Sequence, residues 1–273
     1  MKPDINLYHQ DCIEGMQQRL EPGSVDVVVT SPPYNLGIDY NLYDDTENRA
    51  SYLHWIKDWA KQVKRVLAKQ GSLFLNLGSK PSDLWGPHEV LSELRDIFRL
   101  QNEIHWIKSI VIEDDLSEND PAINVGHYKP INSKRYLNQC HEYIFHLTQT
   151  GDVELNRKAI GVAYKDKSNV KRWGSGREDL RGRGNTWFIP YQTIQNRTAE
   201  RPHPASFPPQ LAKMAIQLHG LDKTELVLDP FLGIGSSAVA ACDLSLDFVG
   251  FEVDGEYLES ARAILGDRQR RLF

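Results

Sequence analysis

Seven short runs rich in β-branched and aromatic residues alternate with helical patterns along the 273 residues: INLYH, VDVVVT, SLFLNL, EIHWIK, EYIFHL, ELVLD and DFVGFE. No other feature constrains the fold as strongly. A run such as VDVVVT, apolar at nearly every position, has no face to turn to water, so it belongs in a largely parallel sheet covered on both sides. Four helical patterns supply the cover. SYLHWIKDWAKQVKRVLAK sets Leu53, Ile56, Trp59, Ala60, Val63, Val66 and Leu67 at helical spacing. FPPQLAKMAIQLHG has proline for a first turn, a stripe of Leu211, Met214, Ala215 and Leu218, and Gly220 to end it. A third helix follows GIGSS, and GEYLESARAIL is the fourth.

From Ile112 to about Ser206 the rhythm breaks, with only EYIFHL and NTWFIP looking regular. Compact domains seldom carry so much irregular chain without a functional reason. The net charge is −5, yet residues 157–201 hold eleven Lys or Arg against four acids, leaving −12 for the remainder. Tyr164, Trp173, Trp187 and Tyr191 lie in that basic block, which reads as a loop-rich surface that tracks phosphates. No apolar run approaches the roughly 18 residues of a membrane span, and the first residues form no signal-like segment. A soluble, cytoplasmic protein without a membrane partner is expected. Cys12, Cys140 and Cys242 are far apart and show no metal-ligand spacing, so neither disulfides nor a zinc site is expected. His141, Glu142 and His146 in HEYIFH suggest a metal spacing, but on a strand the two histidines face opposite sides, so no metal is assigned.

ELVLDPFLGIGSSAVAACDLSLDFVGFEVD reads as strand, glycine turn, helix and strand. Gly233 and Gly235 allow close approach of a ligand to the backbone, and the helix after them presents free amides. Glu252 follows Asp229 by 23 residues, about where an acid binds ribose in nucleotide-binding units. The third glycine of a dinucleotide fingerprint is replaced by Ala238, and no lysine follows the turn. A nucleoside ligand without a pyrophosphate suits such a turn best. At the end of the second run stands TSPPYN, where two prolines stiffen the backbone beside a hydroxyl and an aromatic ring. That combination is a rigid grip for a planar group bearing an amino donor.

TSPPYN and DPFLGIGSS, together with HQDC, HPASFPPQLAKMAI and FVGFEVDGEYLESA in this order, resemble the amino-group DNA methyltransferases that use S-adenosylmethionine. The order resembles their β group, with the tetrad first, then the recognition region, and the cofactor turn last. The resemblance implies an α/β, Rossmann-like, seven-strand sheet that is circularly permuted, with INLYH completing it beside the C-terminal strands. It divides the chain into a catalytic half (1–111), a target-recognition region (112–201) and a cofactor half (202–273). The implied catalytic residues are Ser31, Pro32, Pro33 and Tyr34, with Ser31 Oγ and the Pro32 carbonyl accepting the amino hydrogens and Tyr34 stacking on a flipped base. The implied cofactor residues are Asp229, Pro230, Phe231, Gly233, Gly235 and Ser236 at the turn and Glu252 on the ribose. Asp11 and Cys12 flank the adenine, while Thr30, Ser206 and Phe207 complete the set.

Lys129, Lys134 and Arg135, with Lys171, Arg172, Arg177, Arg181 and Arg183 of the basic block, are the expected DNA contacts. Serine at the first tetrad position favours cytosine N4, with adenine N6 as the alternative. An RNA or protein-amide methyltransferase, a non-catalytic nucleic-acid-binding module and a nicotinamide-dependent oxidoreductase explain fewer of these features. The expected partners are double-stranded DNA, a cognate restriction endonuclease and a second copy of the chain. The arginines of GDRQRRLF are read as a solvated terminus.

Overall fold

The computed structural model describes residues 2–38, 40–112, 123–126, 131–166, 179–190 and 206–272. In chain order the elements begin with β1 (Ile5–His9), α1 (Cys12–Arg19), β2 (Val25–Thr30), α2 (Arg49–Val66), β3 (Leu67–Leu77), α3 (Gly86–Leu94) and β4 (Arg99–Ile107). Next come β5 (Ile110–Ile112), β6 (Ile123–Val125), β7 (His141–Thr148), β8 (Val162–Ala163), β9 (Leu180–Arg181) and β10 (Thr186–Phe188). The chain closes with α4 (Pro209–His219), β11 (Leu226–Asp229), α5 (Ser236–Asp243), β12 (Asp247–Glu252) and α6 (Gly255–Leu272).

All seven runs become strands of one sheet, ordered β1-β12-β11-β2-β3-β7-β4-β10. β1 pairs in parallel with β12, so the N-terminal strand does complete the sheet beside the C-terminal ones. β7 is antiparallel to both β3 and β4, and the other pairings are parallel. One face packs under α4, α5 and α6, the other under α1, α2 and α3. β2 shows why its sequence is so uniformly apolar: Val27 and Val29 enter the first core, Val25 and Val28 the second, and all four are fully buried.

The eighth strand, β10, comes from NTWFIP and seals the outer edge of β4. Trp187 is fully buried there, and the indole of Trp106 donates to the Ile189 carbonyl at 2.8 Å. Trp187 is therefore a core residue, not part of a phosphate-tracking surface, because an uncovered strand edge would leave backbone groups unpaired. The irregular stretch between β4 and α4 is thus tied into the sheet through β7 and β10. At the C-terminus, α6 runs on through GDRQRR, and Arg268 anchors it by a bidentate pair with Asp243. That stretch is helical, and Arg270 and Arg271 on it are exposed to solvent.

Beneath β3 lies a buried polar chain. His146 Nδ1 faces Asn102 Nδ2 at 2.9 Å, His146 Nε2 faces Ser72 Oγ at 2.9 Å, and Ser72 Oγ faces His219 Nδ1 at 2.9 Å. Asn102 donates to His146 Nδ1, so His146 donates from Nε2 to Ser72, whose proton is then directed to His219 Nδ1. Both imidazoles are held neutral: burial pushes His146 down to about 3 and His219 down to about 4, with nearby positive charge adding to both. In the unfolded chain each takes a proton near pH 6.5. Their contribution is therefore complete above pH 6.5 and lost as pH falls toward the folded values, at about 1.4 kcal/mol per pH unit for each. His219→Gln removes one such slope while leaving the carboxylates unchanged. The stability advantage of the wild type over that variant, measured by urea unfolding, is expected to narrow steadily from pH 6.5 to 4; a constant difference would exclude a neutral buried His219.

Candidate active site

Between β11 and β2 the connections diverge toward opposite edges of the sheet, opening a crevice at the carboxyl ends of the strands. A cleft of about 160 Å³ lies there. On its floor, Asp229 ends β11 and ties three elements together. Its Oδ1 accepts from Thr30 Oγ1 at 2.7 Å and from the Phe231 amide at 3.1 Å, while Oδ2 accepts from Ser237 Oγ. Burial pushes Asp229 up to about 6 against those hydrogen bonds. Thr30 acts through this tie, since it is fully buried beneath the cleft.

The turn then places Gly233 at φ 53° and Gly235 at φ 85°, left-handed geometry that disfavours side chains with a Cβ. A Cβ on Gly235 would also stand 3.1 Å from Ala261 Cβ. Gly235 caps α5 and does not itself line the cleft, whereas Pro230, Phe231, Gly233 and Ser236 do. Glu252, at the end of β12, accepts the Gly233 amide through Oε2 at 2.7 Å and the Asp254 amide through Oε1 at 2.9 Å. Burial lifts its pKa above the usual carboxylate value, opposed by these amides. Asp11 caps α1, its Oδ1 accepting the Ile13 and Glu14 amides at 2.9 and 3.1 Å, and sets Cys12 beside the cleft with its thiol pushed up by burial. Ser206 and Phe207 also line the cleft.

The tetrad leaves the end of β2 along the other side. Ser31 and Pro33 line the cleft; Pro32 and Tyr34 do not. The Pro33 carbonyl accepts from Tyr52 at 2.8 Å. Asn35 turns the chain at φ 57°, and the buried Asp45 carboxylate collects the amides of Asn35, Leu36 and Ile38 at 2.8–3.0 Å. This strap carries Tyr40, Leu42 and Tyr43 to the cleft, where Trp55 packs against Tyr43 and Phe231. None of Asp45, Tyr40, Tyr43 or Trp55 is marked by a sequence motif.

Tyr34 differs most from expectation. Its ring is 9 % exposed and packed into the core. Its hydroxyl instead meets Ser31 Oγ at 2.6 Å, Asn76 Nδ2 at 2.7 Å and Glu142 Oε2 at 3.3 Å. Asn76 Nδ2 also reaches Glu142 Oε2 at 2.7 Å, and Lys108 Nζ pairs with Glu142 Oε1 at 2.9 Å. Burial alone would raise Glu142, yet the Lys108 charge and the hydrogen bonds from Lys108, Asn76 and Tyr34 hold it below the usual carboxylate range. Within HEYIFH, His141 joins a ring cluster with His105 and Tyr143, while His146 stacks under Phe74.

Of the expected DNA contacts, Lys129, Lys171, Arg172 and Arg177 lie outside the described residues. Lys134, Arg135 and Arg181 are exposed. Arg183 is half-buried and donates from Nε to the Ile160 carbonyl at 3.0 Å, holding the segment against itself. No helix among the described residues is long and apolar enough to cross a membrane.

A glycine turn, a carboxylate at the next strand end and a proline-stiffened hydroxyl thus share one crevice. Residues 25–263 match the family described as DNA methylase, of the N6 and N4 type. The chain belongs to this DNA amino-methyltransferase family. Among curated relatives, it is 26% identical over 262 residues to the Type II methyltransferase M.HpaI of Haemophilus parainfluenzae, covering 95% of this chain and 73% of that one. To M.ScaI of Streptomyces caespitosus it is 28% identical over 281 residues, covering 99% and 84%. The fold is similar to that of PvuII DNA methyltransferase (cytosine-N4-specific), with TM-score 0.67 at 17% identity over 100% of this chain and 93% of that one. It is also similar to M1.HpyAVI in its complex with SAM, with TM-score 0.57 at 21% identity over 96% and 100%.

Proposed function

We propose that this DNA methyltransferase modifies the exocyclic N4 of cytosine in a flipped-out nucleotide. The observation that carries the assignment is Ser31, a serine at the first tetrad position whose hydroxyl lies at the cleft surface, 2.6 Å from the Tyr34 hydroxyl. The cytosine-N4 name of the PvuII neighbour supports it. Adenine N6 is the second reading, since the matched family embraces both.

The cofactor is S-adenosylmethionine, and the cleft fits it. The Gly233 turn has no lysine for a pyrophosphate, Glu252 stands where a ribose acid is needed, and Asp11 and Cys12 flank room for a purine. Bound there, S-adenosylmethionine would supply an electrophilic sulfonium methyl to the target nitrogen, with the S–C electron pair left on sulfur and the surplus amino proton passing to solvent. The chain's own residues make the nitrogen reactive. The amino lone pair is delocalised into the ring; an acceptor at Ser31 Oγ draws one amino hydrogen out of plane and stabilises the positive charge that develops. Flipping costs a few kcal/mol of stacking and pairing. Residues 112–201 serve target recognition in this proposal, with Lys134, Arg135 and Arg181 on phosphates, positions that fix register on the duplex without reading sequence. The relatives' designation as Type II methyltransferases supports pairing with a restriction endonuclease.

Incubation of unmethylated genomic DNA with the enzyme and labelled cofactor, followed by digestion to nucleosides, tests the assignment. N4-methylcytosine is expected. N6-methyladenine alone would move the target to adenine, and an absence of label from any duplex would overturn the catalytic proposal.

A further inference from the structure

Resting on that proposal, we infer that Glu142 is a positioning residue that sets the direction of the Ser31–Tyr34 hydrogen bond, so that Ser31 meets the target amino group as an acceptor.

The argument follows from counting protons. A carboxylate flanked by Lys108 has only lone pairs to offer, so the Asn76 atom 2.7 Å from Glu142 Oε2 must be the amide nitrogen, which fixes the orientation of that side chain. The same nitrogen lies 2.7 Å from the Tyr34 oxygen and has a second hydrogen to give it. Tyr34 therefore accepts from Asn76, and its single proton has two destinations, Ser31 Oγ at 2.6 Å and Glu142 Oε2 at 3.3 Å. Donation to Ser31 would leave a tyrosine lone pair facing a carboxylate lone pair, and would occupy one of the two lone pairs of the serine. Donation to Glu142 gives every proton of the chain an acceptor: Ser31 gives its proton to Tyr34, Tyr34 gives its proton to the anion, and both serine lone pairs stay open to the cleft. The ionised state required of Glu142 agrees with its depressed pKa. Lys108, 2.9 Å away and also beside the Trp106 ring, holds the charge in place.

The four supporting groups come from four places in the chain: the tetrad loop, β3, the end of β4 and the start of β7. Only the antiparallel insertion of β7 between β3 and β4 brings them together, with Asn76 opposite Ile144 and Trp106 opposite Glu142.

A double-mutant cycle with Glu142→Gln and Tyr34→Phe separates positioning from bulk structure. A glutamine can turn its amide hydrogens to Tyr34 and reverse the chain. Single-turnover methyl transfer by Glu142→Gln is expected to fall roughly 10- to 100-fold, a range below that for loss of a direct transition-state contact, with cofactor affinity measured by calorimetry unchanged. Tyr34→Phe removes the hydroxyl through which Glu142 acts. Adding Glu142→Gln to it should therefore cost less than about twofold further, the margin within which independent effects are resolved. If the two losses multiply instead, Glu142 acts by another route and the inference fails. If Glu142→Gln retains full activity, it fails as well. Melting curves of all three variants identify any loss due to unfolding; should Glu142→Gln melt early, Lys108→Met with Glu142→Gln, which removes both charges, takes its place in the cycle with the same expectation. Failure of the cofactor-dependent reaction itself shows separately, as the absence of label with wild-type protein.

Discussion

Ser31→Ala is expected to lower single-turnover methyl transfer by roughly 10²–10³-fold, the range seen when one preorganised hydrogen-bond partner of a developing charge is removed. Cofactor affinity and melting temperature should stay near wild type. The separation is physical. Ser31 makes its polar contact with Tyr34, which keeps Asn76 and Glu142 as partners when the serine hydroxyl is gone. The loop is held independently, by Tyr52 on the Pro33 carbonyl and by Asp45 on three amides. Nothing in that scaffold depends on the serine oxygen. The loss should thus appear in the transfer rate and not in binding. Unchanged transfer by Ser31→Ala would take the tetrad hydroxyl out of the chemistry, and with it the basis for preferring cytosine.

The fold was readable because strands buried on both faces are near-continuous apolar runs, as β2, β3, β11 and β12 are, while the part-buried edge strand β1 still shows as a short run of strand-forming residues. Two helices were not read. α1 is only eight residues long and offers Cys12, Gly15 and Met16 as its buried positions, too few for a clear stripe. α3 begins on Gly86 and Pro87, residues that also spell a turn. In the site, the two ends of the crevice were legible as motifs because each is contiguous in sequence. The support behind Tyr34 was not. Glu142 stands in HEYIFH, where spacing invites comparison with metal ligands, and its real partners are 34, 66 and 108 residues away. No local pattern encodes such a contact; it exists only after β7 has paired in one register. The hydroxyl contacts of Tyr34 were missed for the same reason, since only the ring's face was considered and not what its hydroxyl would find.

Glu252→Gln should weaken S-adenosylmethionine binding by roughly 100-fold, although the side chain keeps its shape and size. Each carboxylate oxygen accepts a backbone amide, from Gly233 and from Asp254. A glutamine must turn its NH₂ toward one of them whichever way it flips, setting donor against donor. Leaving a buried donor unsatisfied costs about 1–3 kcal/mol, and loss of a charge-assisted bond to a ribose hydroxyl about 1.5–3 more. A total near 3 kcal/mol corresponds to about 100-fold, since about 1.4 kcal/mol is tenfold. Where the NH₂ faces the Gly233 amide, the strain falls in the left-handed turn, and the turn and the proposed ribose contact are damaged together. Protonation does the same to the wild type. Burial has already lifted the Glu252 pKa above its ordinary value. Affinity should consequently begin to fall at a higher pH than an ordinary carboxylate would dictate, and the Gln variant should lack that titration. Calorimetry across pH measures both effects. Wild-type affinity in Glu252→Gln would mean that the carboxylate only shapes the turn and that the ribose is held elsewhere.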